Sequence, residues 1–496
     1  MGFNVAELTS EQARLRSASP AIITHDTLIT YGQLSVAVGI VARRLRQHGV
    51  TPGQVVGVTM GQNALHVITL LALAQAGAVS LSLHLAVPAE RRALAASRCG
   101  ASCVVSGRDD MALAGLQFIS LAGLSFDGLS MTPDAEMHQV SADTPFRIAL
   151  SSGTSGDPKG MILTHGSMML RINSPDPYYS SLSRTLPMDL NFMLGFRPGF
   201  SALAQGSALV MARSMAPEQL LQSIVSHAVT HTYLSPAQAH AIVDLLAVGS
   251  AHCPSLICLR IAGGPLSRYL LGELREKITP NVYVRYGSTE SGLLTSATPE
   301  TLARQPSSVG RVCRWAQIEV VGENDAPLPA GSVGALRIRS EHQVQGYYLD
   351  EARNRQHFRK GWFYPGDLGR FDAEGLLYSE GRADDQLKVG GLKVSPEDID
   401  AVLAAHTAVA EAGASVLTGE EGQEVLAVAP VLRAGAGIDE VRHHARAQLG
   451  PLAPIRYSRY LRCPAQSQEN SGAPSFLNSS PDMLTRIKVV HRGHLI

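Results

Sequence analysis

Apolar positions along the chain switch repeatedly between a helical period and short continuous runs. Residues 21–24 and 28–30 read as the two strands of a hairpin, after which Leu34, Val38, Val41 and Leu45 recur on one helical face that Gly49 closes. A strand-like run at 55–60, a helix at 63–76, a strand at 78–83, a helix at 88–97 and a strand at 103–106 follow. Between 107 and 145 only 117–121 has strand character. A strand at 146–150 precedes a loop rich in glycine and hydroxyls, and the apolar positions of 161–170 then predict a helix. The alternation resumes with strands at 208–211, 230–234, 255–261 and 282–286 and helices at 217–227 and 236–246. Such alternation predicts parallel sheets covered by helices.

From residue 309 the texture changes to short strands and close turns, at 317–321, 334–338, 361–367 and 372–375, which predicts a β-rich subdomain. Beyond Gly381 a helix at 396–405 and a strand at 425–431 mark a smaller α+β unit, and the polar, turn-rich stretch 464–481 reads as a loop. The fold class is therefore α/β, with layered α/β subdomains, a β-rich subdomain and a small α+β C-terminal domain.

Composition narrows the partners. At 496 residues the chain exceeds a single core, and 45% hydrophobic with 17% charged residues is ordinary for a globular protein. Lys plus Arg equals Asp plus Glu, 42 against 42, so no net field draws the chain to nucleic acid or anionic membrane. Six scattered cysteines, at 99, 103, 253, 258, 313 and 463, form neither a zinc pattern nor a disulfide framework, which points to a reducing, cytoplasmic setting. The uncharged run 64–87 has the length of a membrane span, but Gly77 divides it into a buried helix and a buried strand.

The loop Ser151-Ser152-Gly153-Thr154-Ser155-Gly156-Asp157-Pro158-Lys159-Gly160 carries the strongest chemical signal. Its glycines let backbone approach a ligand, hydroxyls and exposed N–H groups suit phosphate oxygens, and Lys159 adds a compact cation. A nucleoside triphosphate is the guest this composition predicts. The spacing is not that of a Walker loop, and Pro158 forbids a smooth helix start before Lys159.

This loop resembles the phosphate loop of the acyl-adenylate-forming superfamily, which holds acyl-CoA synthetases, aryl-acid and peptide-synthetase adenylation domains, and luciferases. Further segments resemble its motifs in the same order: Leu28-Ile29-Thr30-Tyr31-Gly32-Gln33-Leu34, Ala262-Gly263-Gly264-Pro265-Leu266-Ser267, Tyr286-Gly287-Ser288-Thr289-Glu290, Gly361-Trp362-Phe363 with Gly366-Asp367, and Gly381-Arg382-Ala383-Asp384-Asp385.

The resemblance implies attack of a substrate carboxylate on the α-phosphorus of ATP, giving an acyl-AMP, followed by acyl transfer to CoA or to the phosphopantetheine of a separate carrier protein. It implies that Ser151, Ser152, Gly153, Thr154, Ser155 and Lys159 grip phosphates. Gly263, Gly264, Pro265, Tyr286, Gly287 and Ser288 would lie along the nucleotide, Thr289 would meet the α-phosphate and Glu290 would hold Mg²⁺. Asp367 and Arg382 would bind the ribose. Asp384 would be the hinge between an N-terminal domain of residues 1–383 and a mobile lid of 384–496, with Lys388 on the lid loop. The lid's catalytic lysine would be Lys488, within Leu484-Thr485-Arg486-Ile487-Lys488, where Ile487 replaces the usual glycine.

The acid pocket would involve Asp189, Leu190, Asn191, Gly263 and Gly287. Leu186-Pro187-Met188-Asp189-Leu190-Asn191-Phe192 is similar to the substrate motif of aryl-acid adenylating domains, with Leu190 where many relatives place His or an aromatic. Asn191 either orients a ring substituent or satisfies backbone groups, and Asp189 raises an amino-acid substrate as an alternative. An aryl or other small carboxylic acid fits the motif best. Two readings stand beside the ligase: an amide synthetase that passes the acyl group to an amine, and a binding module without turnover.

Overall fold

The computed structural model describes residues 4–124, 137–151, 159–174, 179–246 and 253–383, and in the C-terminal part 387–389, 392–394, 399–400, 402–403, 405–418, 424–428, 430–432, 436–449 and 456–457. Two large sheets organise the first 312 residues. One has six strands in the order Gln117–Ser120, Cys103–Ser106, Val55–Val58, Val79–Ser82, Pro145–Ser151 and Lys159–Thr164, all parallel except the last. The other has nine strands, with a parallel run of Val282–Ser288, Cys258–Ile261, His231–Leu234, Arg184–Leu186, Ala208–Val210 and Pro20–Ile23 flanked by antiparallel edges.

The predicted hairpin at 21–30 and the helix on Leu34, Val38, Val41 and Leu45 are both present, the helix as Tyr31–Gln47 behind a capping box of Thr30 and Gln33. This helix packs beside Ala64–Gln75, which is buried nearly all round. One continuous core joins both helices to Val56 and Cys103 of the first sheet and to Ile22 and Leu209 of the second. The uncharged run thus spends its hydrophobicity on a helix and an interior strand, and no helix among the described residues is long and apolar enough to cross a membrane.

Residues 316–382 form the expected β-rich subdomain, an antiparallel sheet built on Ala316–Val321, Gly334–Ser340, Asp367–Phe371 and Leu377–Arg382. In the C-terminal part, Ala414–Thr418, Glu424–Val428 and Arg456–Tyr457 share a sheet, and the helix Ile438–Leu449 contributes Val441 and Ala445 to a core with Ile399, Leu403 and Leu426. The predicted helix at 396–405 lies partly outside the described residues, and the stretch 464–481 wholly so.

One predicted element takes a different form in the structure. Residues 161–170 were expected to be helical throughout, whereas Lys159–Thr164 is a strand antiparallel to Pro145–Ser151, and only His165–Ile172 is helix. The reason is periodic: Met161 and Leu163 are buried while Ile162 and Thr164 are half-buried, a two-residue alternation that a short apolar run conceals. Thr164 then caps the helix reciprocally with Ser167. The loop of 152–158 therefore joins two antiparallel strands instead of leading from strand to helix.

Candidate active site

Ser151 and Lys159 are register partners at the mouth of that hairpin, so the two ends of the predicted phosphate loop adjoin. Ser152, Gly153, Thr154 and Ser155 fall outside the described residues, as do the predicted hinge Asp384 and the predicted lid lysine Lys488. Lys388 lies on the strand Leu387–Val389, paired with Lys393 of Leu392–Val394.

Beyond the hairpin, Gly160 accepts a hydrogen bond from the Tyr348 N–H at 2.7 Å, and Met161 bridges to Tyr347. This ties residues 344–348 to the strand that leaves the predicted phosphate loop. The same segment reaches the turn Thr289–Glu290: the Val344 N–H donates to the Glu290 carbonyl at 2.8 Å, and the Tyr347 hydroxyl donates to Glu290 Oε1 at 2.9 Å.

That turn connects Val282–Ser288 to Gly292–Ala297 through a register shift at Tyr286 and Gly287. Close approach explains the glycine, because a Cβ at Gly287 would sit 2.2 Å from the Gly292 carbonyl oxygen. Ser288 and Ser291 exchange a hydroxyl contact of 2.9 Å across the turn. Underneath, the buried Arg171 donates from Nη1 to the Thr289 carbonyl at 3.0 Å and from Nε to the His342 carbonyl at 3.0 Å. Burial lowers the Arg171 guanidinium to about 10, which leaves it cationic at neutral pH.

Tyr286 connects this turn to the β-rich subdomain. Its hydroxyl donates to Asp367 Oδ2 at 2.6 Å, while Arg382 Nη1 donates to Asp367 Oδ1 at 3.1 Å and Nη2 to the Pro365 carbonyl at 3.0 Å. Asp367 and Arg382 are register partners of neighbouring strands. Burial, with the Asp367 carboxylate beside it, raises the Tyr286 phenol well above its ordinary value, so the proton stays on tyrosine. Gly263, Gly264 and Pro265 form an exposed ledge after Cys258–Ile261, and Gly263 takes a left-handed φ of +88° that favours glycine.

The predicted acid-pocket residues divide by direction. Leu190 is wholly buried in the main core. Asp189 instead collects donors: the Asn191 N–H and Asn191 Nδ2 each at 2.8 Å on Oδ1, and His84 Nε2 at 3.0 Å on Oδ2. The Ala86 N–H donates to His84 Nδ1, which fixes the proton on Nε2. Burial pulls the Asp189 carboxyl upward, but the bonds from His84 and Asn191 prevail and hold it below the usual carboxylate range. Arg147, fully buried over the Phe196 ring, donates to the carbonyls of Leu190 and Asn191 at 3.0 Å each. This joins the loop of 189–192 to the strand that enters the phosphate loop.

Three of these groups escaped the sequence reading. Arg171 had a signal, since it stands on the buried face of a short helix with His165, Met168 and Ile172. Tyr347 and His84 acquire their roles only through contacts across 57 and 105 residues.

The donor set suits a magnesium nucleotide. Among the described residues neither the Thr289 hydroxyl nor Glu290 Oε2 has a protein partner, and no group of three or more metal-ligating side chains exists. One carboxylate completed by phosphate and water oxygens is the arrangement Mg²⁺ favours.

Comparison with known proteins gives the same answer. The model of the family described as AMP-binding enzyme matches residues 9–348. A 2-succinylbenzoate--CoA ligase of Bacillus cereus is 28% identical over 459 residues, covering 88% of this chain and 91% of the relative. Among solved structures, an amide bond synthetase of Marinactinospora thermotolerans superposes with a TM-score of 0.82 at 22% identity, covering 93% of this chain and 96% of that one. The O-succinylbenzoate coenzyme A synthetase of Bacillus subtilis bound to AMP gives 0.80 at 24% identity, covering 92% and 95%. With the ordered motifs and the site around Asp367 and Glu290, the chain belongs to the AMP-binding enzyme family, the acyl-adenylate-forming enzymes that its sequence resembles.

Proposed function

We propose that this enzyme is an AMP-forming carboxylic acid ligase that joins a small, preferably aryl, acid to AMP and then to CoA or a carrier-protein thiol. The observation that carries the reading is the convergence of Tyr286, Asp367 and Arg382 with the open Thr289–Glu290 turn. ATP brings the electrophilic α-phosphorus, and Mg²⁺ offsets the charge of its phosphates. The chain's part is to position anions: Asp367 and Arg382 fix the ribose, Glu290 holds the metal, and the Thr289 hydroxyl donates to the α-phosphate.

In this reading residues 384–496 are the lid, Asp384 is its hinge and Lys488 its adenylation lysine, while Lys388 serves the thiol-transfer orientation. The full-length likeness to a CoA ligase supports a thiol acceptor. The Asn191 Oδ1 atom, buried and without a partner among the described residues, supports an acid with a donor substituent on its ring.

The test is acid-dependent exchange of labelled pyrophosphate into ATP across aryl, fatty, keto and amino acids, followed by trapping of the product with CoA or with amines. Exchange with an aryl acid and thioester formation are expected. Formation of an amide alone would establish the amide synthetase, and ATP binding without exchange would establish a binding module. Lys488→Ala is expected to cut exchange by about 100-fold or more with ATP binding retained.

A further inference from the structure

The turn that presents Thr289 and Glu290 is held from two sides by residues outside every motif used above. Arg171 approaches from the helix His165–Ile172 and is 2% exposed. Its fork takes backbone oxygens: Thr289 at 3.0 Å, Glu290 at 3.4 Å and His342 at 3.0 Å. Arg197 Nε in turn donates to the Arg171 carbonyl at 3.0 Å. From the other side the buried Tyr347 donates to Glu290 Oε1 at 2.9 Å. The bonds from both residues spare the Thr289 hydroxyl and Glu290 Oε2, which have no partner among the described residues. A planar fork that engages three carbonyls fixes a backbone more tightly than an ammonium can.

We propose that Arg171 and Tyr347 are positioning residues that clamp the Thr289–Glu290 turn, Arg171 through its carbonyls and Tyr347 through one carboxylate oxygen, so that the other oxygen is presented to a divalent cation carried by the nucleotide. This rests on the nucleotide reading of the site. The clamp acts on the metal-dependent part of nucleotide binding and leaves the ribose contacts at Asp367 untouched.

The experiment titrates the full chain with ATP plus Mn²⁺, with ATP plus EDTA, and with AMP alone, by calorimetry. The ratio of the first two affinities reports the metal's contribution. Tyr347→Phe removes one hydrogen bond and is expected to lower that ratio about 5-fold, with AMP affinity within about 2-fold of the unaltered chain. Arg171→Lys keeps the charge but loses the fork, and is expected to lower it about 10-fold or more.

An unchanged ratio in both variants, or in Tyr347→Phe an equal loss of AMP affinity, would overturn the clamp; Arg171→Lys also loosens Thr289, whose hydroxyl would meet the α-phosphate that AMP carries, so some loss of AMP affinity is expected there. An Arg171→Lys chain that does not fold would assign that arginine to the core and overturn its part, with Tyr347→Phe still deciding the other. If the unaltered chain bound neither ATP nor AMP, the reading of the whole site would fall instead.

Discussion

The Tyr286 hydroxyl donates to Asp367 Oδ2 at 2.6 Å, across 81 residues of sequence, and so joins the nine-stranded sheet to the β-rich subdomain at the proposed ribose site. The bond turns the carboxylate, and Arg382 completes its orientation from the neighbouring strand. Tyr286→Phe is therefore expected to weaken AMP binding about 5-fold, the usual net effect of one orienting hydrogen bond. Asp367→Ala, which removes the ribose acceptor itself, should weaken it about 100-fold; calorimetric titration with AMP compares the two. Equal effects would mean that Asp367 serves the interface between sheets and not the nucleotide.

Two glycines separate fold from ligand. A Cβ at Gly287 would strike the Gly292 carbonyl, so Gly287→Ala is expected to destabilise the chain by about 1–3 kcal/mol and to abolish the thermal shift produced by magnesium ATP. At Gly264 the nearest atom would be Pro236 Cγ at 3.5 Å, an ordinary contact. Gly264→Ala should melt like the unaltered chain while binding ATP more weakly, because the added methyl occupies the exposed ledge that the motif resemblance places along the nucleotide.

Amino acids should gain nothing from Asp189. Its carboxylate already accepts two bonds from Asn191 and one from His84. Acids with an α-amino group are expected to support pyrophosphate exchange no better than their deaminated analogues, and His84→Ala, which leaves a partly buried carboxylate short of a donor, should cost about 1–3 kcal/mol of stability. Urea denaturation measures the second. A strong preference for amino acids would place an ammonium group against Asp189 and displace the aryl-acid reading.

Stability should fall on mild acidification. Burial holds the His66 and His165 imidazoles down to about 4 and that of His342 to about 3. In the unfolded chain each titrates near 6.5. From pH 6.5 downward the unfolded state takes up three protons that the folded state refuses, so stability is full above 6.5 and declines toward 4, by at most about 4 kcal/mol per pH unit. His165→Gln removes one of the three groups and should reduce the slope between pH 6.5 and 5 by about one third. Urea midpoints across that range provide the check.

The sequence carried the repetitive parts of this fold well. Leu34, Val38, Val41 and Leu45 lie on one buried helical face, and the strands at 55, 79 and 103 follow from short uncharged runs rich in valine and leucine. It failed where a short run supports either period, as at Met161–Thr164, which pairs in a strand. The strand Arg184–Leu186 and the helices Met193–Ala204 and Arg268–Lys277 were not predicted; Pro198 inside the first of these helices masks its period. In the proposed site, single motifs pointed to Asp367, Arg382, Thr289 and Glu290. The residues that orient them come from distant segments, and contact between Arg171 and the 289–290 turn has no local signature.

Because the predicted phosphate loop closes a hairpin, no helix begins at its end: the chain re-enters a sheet at Lys159, and the next helix starts only at His165. A Walker-type loop draws much of its grip from the partial positive charge where a helix opens. Here that contribution is missing from the loop's exit, and on the proposed reading the attraction for polyphosphate would fall to the hydroxyls and amides of the loop sequence and to the ammonium of Lys159. An ammonium is a compact, strongly hydrated point charge, so on this reading affinity for triphosphate should respond to added salt more steeply than a dipole-based cradle would.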